Sequence, residues 1–455
     1  MSLNGFFKNL SREILSGVES NLWARIDPAD SVASPKSSDD FQPGNVDILN
    51  ISIVSADGKR AHNLIPYVTE IHIYENIVYP SMFCELTVAD SIGLYERFPI
   101  TTDEFVTFSI KTPGNETPSD YRFSVNRVGE KEIHQNNQMV SYTLQLVSPE
   151  LKRSAATPIT KTFNGTISEL ITDILKEDIG TEKRLIIEPS TGIINKTIGP
   201  RLPFPMIHEH YLDADNRRDN NGVYVFFENK HGYNLVTYEK LLKDGRRALS
   251  TGASTKQFVF TPDRNSDVSA VKFRNILAYS QSRFGDAIGL VGHGGLNSTA
   301  EPYDFATGAG ERAQYIETQD GESAPTSDEN GTMLFSTNYV RDNERNSINN
   351  MLIAVNSEVR PNNKIAEVMV KRTAFLQKLQ QIEAQIFIYG DTNLAVGDVI
   401  ECSFPSSADT EDDSGRSRLD SGNYLITHLR HMILNTDRPQ HVIACNLMKA
   451  GMLGN

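Results

Sequence analysis

One strand module appears near both ends of the chain, and this repetition constrains the fold more than any single motif does. Alternation with a period of two is typical of half-buried antiparallel strands. Two unrelated meanders can share such features, but the interpretation that we favour is a duplicated small β-barrel. Three segments recur in the same order: EFVTFSI (104–110) with DVIECSF (398–404), YRFSVNRV (121–128) with YLITHLRH (424–431), and SYTLQLVSPEL (141–151) with VIACNLMKAGM (442–452).

A duplicated barrel has a geometric use in an assembly. Three chains with two similar barrels each would form a ring of six similar units. Such a ring can meet six-fold symmetry on one side and three-fold symmetry on the other. The two copies differ most at an acidic insertion over residues 406–422, SSADTEDDSGRSRLDSG.

Changes in periodicity divide the chain into four predicted segments. Residues 1–45 combine an amphipathic helical pattern with a Pro-rich linker, and this helix could dock on a neighbour or pack on its own chain. Residues 46–152 are the first β-barrel, and 153–360 are an α+β and loop-rich middle region. Residues 361–455 are a helix, at 362–380, followed by the second β-barrel. The predicted fold class is mainly β with an α+β insert, in which two similar small antiparallel β-barrels per chain are joined by α+β domains.

The middle region has clear local signals. Thr166 and Glu169 form a capping-box pattern that predicts a helix start, and Gly180 can end that helix. LPFPMIHEHYLDADNRR predicts a second helix. Residues 222–242 then alternate as strands, with a turn at Asn229–Gly232.

The charge balance argues against a protein that wraps nucleic acid. The chain has 455 residues, a net charge of −14 and no long cluster of Lys or Arg, whereas such proteins are usually basic, at least locally. An acidic protein can still border a path for DNA, because repulsion prevents the polymer from sticking.

The cysteines and the apolar runs predict where the chain folds. Cys84, Cys402 and Cys445 each lie in an apolar alternating stretch, which predicts reduced core residues and a reducing compartment. The first residues lack the basic start and continuous apolar run of a signal peptide. No run approaches ~20 apolar residues, so we expect no membrane-spanning segment.

Three patterns invite a functional site, and none has the required spacing. His208 and His210, beside Glu209, are two residues apart, which places them roughly 200° apart on a helix rather than on one zinc-binding face. The loop 409–420 resembles a calcium loop, but its Gly is one position late. The Gly-rich segment 289–295 lacks the nucleophile elbow of an esterase. The sequence therefore predicts no catalytic, cofactor-binding or metal residues and no cofactor; Asp213 and Asp215 near the His pair do not change this.

Four runs together resemble one family. They are VTEIHIYENIVYP with FCELTVADSIGLYERFPITTDEFVTFSIKTP, NGTISELITDILKE, GVYVFFENKHGYNLVTYEKLL, and IYGDTNLAVGDVIECSFPSS with SGNYLITHLRHMI. In this order they resemble the central hub proteins of contractile-tail phage baseplates, over most of residues 46–450. The hub part of type six secretion spikes and of other phage-tail-like injection machines is similar.

The resemblance implies a structural protein and not an enzyme. It implies a homotrimer with pseudo-six-fold symmetry that joins the hexameric tail tube to a trimeric spike, next to other baseplate proteins. DNA would pass through the central channel without specific binding. The protein would be part of the virion tail baseplate and would be assembled in the host cytoplasm. The alternatives are the hub of a bacterial injection system and a tail-associated cell-wall hydrolase.

Overall fold

Strands, mostly in antiparallel pairs, make up 48% of the described residues of the computed structural model and helices 21%, which confirms the mainly β fold class with an α+β region between two strand-rich parts. The predicted helix in residues 1–22 and most of the acidic insertion lie outside the described residues. The structure describes residues 42–133, 139–216, 223–252, 254, 256–260, 274–305, 307–308, 312–316, 332–333, 349–355, 365–406, 416–417, 419–449 and 451–452.

The first part is the N-terminal strand unit. Apolar side chains at alternate positions of most of its strands point into a single core that includes Ile51, Ile71, Leu86 and Leu144. A short helix, α1 (Leu94–Arg97), follows the fourth strand. The strands are β1 (Asp47–Val54), β2 (Ala61–Asn63), β3 (Val68–Asn76), β4 (Phe83–Asp90), β5 (Phe105–Lys111), β6 (Ser119–Ile133) and β7 (Val140–Val147).

The middle region is an α+β unit with a core of its own. Thr166 and Glu169 form the predicted capping box at the start of α3, and a π-helical turn over Ile174–Asp178 continues that helix. The elements are α2 (Pro149–Ala156), β8 (Ile159–Gly165), α3 (Ile167–Asp173), β9 (Leu185–Ile187), β10 (Ile194–Arg201), α4 (Pro203–Tyr211), β11 (Tyr224–Asn229), β12 (Gly232–Thr237) and α5 (Tyr238–Ser250).

One boundary in this region was predicted wrongly. The hairpin of β11 and β12 turns between Asn229 and Gly232 as expected, but the strand ends at Thr237 instead of continuing to 242. The Thr237 hydroxyl accepts a hydrogen bond from the Lys240 N–H and so caps α5. The cap residue and the helical spacing of Tyr238 and Leu242 outweigh the local alternation.

The last part contains the C-terminal strand unit, whose core includes Ile386, Ile400, Leu425 and Cys445. The predicted helix at 362–380 is confirmed as α7 (Ile365–Leu379). Six strands form the unit: β13 (Gln257–Val259), β14 (Ile276–Phe284), β19 (Ile382–Tyr389), β20 (Val399–Ser403), β21 (Gly422–Leu434) and β22 (Gln440–Lys449). The other described elements are α6 (Ala287–Gly292), β15 (Asn297–Asp304), β16 (Ala313–Ile316), β17 (Thr332–Met333), β18 (Asn349–Val355) and β23 (Gly451–Met452).

The two strand units have the same pairing order. In the N-terminal unit the order is β3-β4-β7-β6-β5-β1, and in the C-terminal unit it is β14-β19-β22-β21-β20-β13. All pairs are antiparallel except β13–β20, which is parallel. Neither β13 nor β14 belongs to the repeat found in the sequence, because both precede residue 360. The four-segment division of the chain remains a prediction.

Two irregularities coincide in the two units, while the shifts between Gly129 and Glu132 and between Gln281 and Arg283 have no counterpart. β6 has a bulge at Asn126 opposite β7, and β21 has one at Thr427 opposite β22. β3 and β14 both shift register one residue after their first pair, at Thr69 and Leu277. Bulges change the twist and aim of a strand, so a shared pattern of bulges is stronger support for one duplicated unit than a shared meander.

In the C-terminal unit the first and last strands of the pairing order, β14 and β13, are also connected. A parallel bridge joins Val259 of β13 to Asn275, the residue before β14, and the Val259 N–H donates to the Arg274 carbonyl at 2.8 Å. Six strands therefore surround the C-terminal core. β21 also pairs with β3, which makes the two units one continuous sheet.

Candidate assembly interface

The N-terminal and C-terminal units share one strand pair, which we call the cis joint: the second half of β21, residues 428–434, against β3. They also contact each other where Thr112 hydrogen-bonds to Thr392 and where Asn45 bridges to Gln440. The register of the cis joint is antiparallel and regular, from His428 opposite Asn76 to Leu434 opposite Glu70. Ile433 lies opposite Ile71 and is 0% exposed, although it belongs to β21, because it packs into the core of the N-terminal unit. The joint thus adds a strand of the C-terminal unit to the edge of the N-terminal unit.

Polar side chains fix this register on the outer face of the sheet. The Arg430 guanidinium lies 5.2 Å from the centre of the Tyr74 ring, directly across the joint. The Tyr74 hydroxyl donates to the Glu85 carboxylate at 2.9 Å, and Arg430 also approaches His72. A one-residue slip would separate these groups and would turn Ile433 away from its core.

A buried carboxylate holds all three regions together beside the cis joint. Glu75 of β3 accepts the Val396 N–H at 2.8 Å and the Lys230 N–H, in the β11–β12 turn, at 3.1 Å. Burial raises the pKa of Glu75 to about 7. The backbone donors come from the C-terminal unit and the middle region, so this one side chain connects both to the N-terminal unit.

A second buried carboxylate connects the middle region to the N-terminal unit. Glu228 accepts the Met82 N–H at 2.9 Å and the Ser148 hydroxyl at 2.7 Å, and it contacts the Lys183 ammonium. Lys183 also pairs with Glu150 at 2.8 Å. Burial alone would lower the pKa of Lys183, but the two carboxylates outweigh it and raise that pKa.

Two histidines form a buried pair in the C-terminal unit. Nδ1 of His431 lies 2.9 Å from Nε2 of His441, and both side chains are 0% exposed. Burial lowers the pKa of His441 to about 3 and, with the neighbouring ring, lowers that of His431 well below its ordinary value. Both rings are therefore neutral near pH 7, and one donates to the other. A Cβ at Gly390 would lie 2.0 Å from the His441 ring, so the pair needs a glycine there.

Among the open strand edges in the described part of the chain, two lie on β6 and β14 of the duplicated units. The second half of β6, residues 127–133, pairs with β7 on one side, while its pairing with β5 on the other side stops at Ser124. β14 pairs with β19 on one side only, apart from the bridge at Asn275. Ile133 on β6 is 70% exposed, and Ser280 on β14 is exposed as well.

The predicted polar segment around His208 does not converge on one point. His208 and Glu209 are exposed on α4, while His210 is buried on another face of the same helix. Burial, together with Arg372, lowers the pKa of His208. Within the described ranges, no three His, Cys, Asp or Glu side chains come together as metal ligands.

The other sequence candidates lie apart from the cis joint. The Gly-rich segment 289–295 includes most of α6, whose Asp286 carboxylate caps the helix by accepting the Gly289 N–H at 2.8 Å. Residues 409–415 and 418 of the calcium-like loop 409–420 lie outside the described residues.

The three cysteines are unreactive core residues. Cys84, Cys402 and Cys445 are free and buried, and burial raises the pKa of each thiol well above its ordinary value. They are protonated core residues, as predicted, because only the thiolate is reactive. In the described part of the chain, none of the helices combines the length and the apolar character needed to cross a bilayer.

The cis joint was the main feature that sequence reasoning missed. The repeat indicated two similar units but gave no sign that one would extend a strand into the other. The apolar run YLITHLRHMIL (424–434) gave no separate signal, because its pairing with β22 already accounts for its whole length.

Comparison with known proteins places the fold. No protein-family model matches the chain, and no curated protein matches its sequence. The 43 kDa tail protein of prophage MuSo2 from Shewanella oneidensis has a TM-score of 0.50 at 11% identity, over 88% of this chain and 98% of that one. A tail protein from Neisseria meningitidis MC58 has a TM-score of 0.48 at 9% identity, over 88% and 96%. A chain of the lidded Francisella PdpA–VgrG complex has a TM-score of 0.47 at 10% identity, over 99% and 59%. The chain therefore shares the fold of a prophage tail protein.

Proposed function

We propose that this protein is the central hub of a contractile-tail baseplate. In this role three copies form a ring that joins the hexameric tail tube to the trimeric spike and surrounds a channel for DNA. The observation that carries the proposal is the duplicated unit, with six strands in the same pairing order and matching bulges in β6/β21 and β3/β14.

The duplicated unit supports a symmetry-adapting role for a geometric reason. Each six-strand unit acts as one small β-barrel, and the cis joint sets the two barrels side by side in a continuous sheet. Repeating that step around an axis gives six similar units from three chains. The acidic balance of the chain suits a channel with acidic or polar side chains, because like charge keeps DNA from binding to the wall.

The resemblance to hub proteins and the fold shared with a prophage tail protein support a structural, non-enzymatic role. The partners are then a tail tube protein on one side and a spike protein on the other, with neighbouring baseplate proteins around them. The location is the virion tail, after assembly in the host cytoplasm.

Solution mass tests the proposal directly. Light scattering after size exclusion, over a concentration series of the full chain, is expected to give three times the 50.7 kDa chain mass. Negative-stain images of the same peak are expected to show a ring with six lobes and three-fold symmetry. A strictly monomeric protein at high concentration that binds neither tube nor spike would overturn the proposal.

Two alternatives have their own discriminating observations. Neighbouring genes for a tail sheath and capsid indicate a phage, whereas genes for a membrane-anchored injection apparatus indicate a bacterial machine. A cell-wall hydrolase would clear a zymogram made with cell-wall substrate, and we expect no clearing by this protein.

A further inference from the structure

The cis joint provides a template for a contact between copies. In each chain, the C-terminal unit gives the second half of β21 to the outer edge of β3 in the N-terminal unit. By the matching strand order, β6 corresponds to β21, and β14 corresponds to β3. β6 and β14 also each have an open edge in the described structure.

We propose that the second half of β6 pairs antiparallel with the outer edge of β14 in a second copy of this chain, forming a trans joint. This inference rests on the proposed function and assigns the surface by which copies of the chain associate. Alternating cis and trans joints would make the sheet continuous through the whole ring. Unpaired strand edges are ready templates for such addition.

The equivalence of the two units also predicts the register of the trans joint. β7 pairs with β4, and β22 pairs with β19, without any bulge. Aligning these two strand pairs places Ser141 at the position of Val442 and Val140 at that of His441. Through these partners, Glu132 corresponds to Met432 and Ile133 to Ile433. On the other strand, Ser280 corresponds to His72 and Tyr279 to Ile71, through their partners on β19 and β4. The trans joint therefore places Glu132 opposite Ser280, and Ile133 opposite Tyr279.

The side chains fit this register. Ile433 is buried in the core of the neighbouring unit, while its counterpart Ile133 is exposed in the single chain. Tyr279 faces the C-terminal core, with its ring centre 4.3 Å from that of Phe404. In the trans joint, Ile133 extends this core in the way that Ile433 extends the core of the N-terminal unit. The pairing thus covers an apolar side chain that water otherwise surrounds.

The trans joint differs from the cis joint in its polar contacts. Arg430, which lies over the Tyr74 ring in the cis joint, corresponds to Gly129 in β6. His72 corresponds to Ser280. The trans joint thus lacks the charged and aromatic pairs of its counterpart, so backbone hydrogen bonds and Ile133 contribute most of its stability.

A disulfide between facing positions tests the register. The variant Glu132→Cys with Ser280→Cys places the two Cα atoms about 4.5–5.5 Å apart, which suits a disulfide. The matched control, Glu132→Cys with Ala278→Cys, moves one thiol two residues along the same face, to about 7–8 Å. The natural cysteines are buried and do not compete. His72→Cys with Met432→Cys, at the corresponding cis positions, is the positive control and should close within one chain.

Mild oxidation of the full chain, followed by a non-reducing gel, is expected to give a covalent trimer for the 132/280 variant and at least tenfold less for the 132/278 control. Light scattering of each reduced variant separates the outcomes. A trimer that does not cross-link at 132/280 overturns the trans joint and leaves the hub proposal standing. A chain that stays monomeric and does not cross-link overturns both. Covalent products that grow beyond three chains would also overturn the closed ring.

Discussion

The N-terminal and C-terminal strand units are copies of one design that differ in their surroundings. Both have six strands in the same order and bulges at matching places. The second half of β21 is buried because β3 lies beside it in the same chain, while the second half of β6 is exposed. The comparison teaches that burial in a duplicated protein follows the location of the neighbour, since equivalent residues can be core in one copy and surface in the other.

Ile433→Asp should break this comparison most severely. The substitution would bury an unpaired carboxylate in the N-terminal core, which costs more than about 4 kcal/mol and exceeds what most domains tolerate. We expect loss of soluble folded protein, measured by yield and by thermal unfolding. Ile433→Val is the control and should cost about 1 kcal/mol. A folded Ile433→Asp protein of wild-type stability would show that the cis joint is not part of the core.

Ile133→Asp, the equivalent change in the other unit, should leave folding intact and prevent association. The side chain is exposed in the single chain, so the melting temperature of the monomer should not fall. Association should weaken by at least about a hundredfold, because the trans joint would bury the new charge. The measurement is the mass by light scattering across a dilution series.

The matched control for this prediction is Ile193→Asp. Ile193 is 55% exposed and precedes β10 in the middle region, so it belongs to neither β6 nor β14. The Ile193→Asp protein should remain trimeric. Equal loss of association in both variants would mean that added charge, and not the β6 edge, is responsible.

Acid should weaken the C-terminal unit more than the N-terminal unit. The His431–His441 pair has no counterpart in the N-terminal unit, where Val140 corresponds to His441. Because burial lowers the pKa of His441 to about 3, from an ordinary value of 6.5, its contribution is present above pH 6.5 and is lost as the pH falls below that value. Between pH 7 and pH 5, His441 alone should remove about 2 kcal/mol from the free energy of unfolding, while Glu75, whose pKa burial raises to about 7, contributes in the opposite direction.

The test compares urea unfolding at pH 7 and pH 5, in the Ile133→Asp background so that association does not contribute. His431→Leu with His441→Leu should flatten the dependence on pH relative to the same protein with both histidines. An unchanged dependence would assign the acid sensitivity to other groups, such as the carboxylates.

A change in salt concentration should have the smallest effect, and it should change association through the trans joint without changing the cis joint. Each chain carries a net charge of −14, so copies repel one another at low ionic strength. Raising salt from 0.1 M to 1 M shortens the screening length from about 10 Å to about 3 Å and should tighten association severalfold. Sedimentation equilibrium at several salt concentrations measures this. Weaker association at high salt would indicate a joint held by ion pairs.

Much of this architecture was predictable from alternation. The matches of 104–110 with 398–404 and of 141–151 with 442–452 agree with the observed strand pairing. The middle match is two residues out of register, since the bulge at Asn126 corresponds to Thr427 and not to Leu429. A shift of two residues keeps every side chain on the same face of a strand, so the apolar alternation alone does not distinguish the two alignments.

The elements that complete the C-terminal unit were beyond sequence reasoning for other reasons. β13 has three residues and pairs in parallel, so it has too little pattern to detect. The pairing of β21 with β3 joins residues more than 350 positions apart, and nothing in either strand alone specifies the partner. The absence of predicted catalytic, cofactor and metal residues remains a prediction.

The cis joint also determines how long one strand edge stays unpaired during synthesis of the chain. β3 emerges early, and its outer edge remains without its partner until β21 is made. At typical bacterial rates of about 5–20 residues per second, that interval lasts roughly 20–70 s. During this time a half-built sheet exposes the same edge that other nascent copies could capture. Pairing between distant strands is slow, so the yield of this protein should depend on how quickly the residues between β3 and the end of β21 are synthesised.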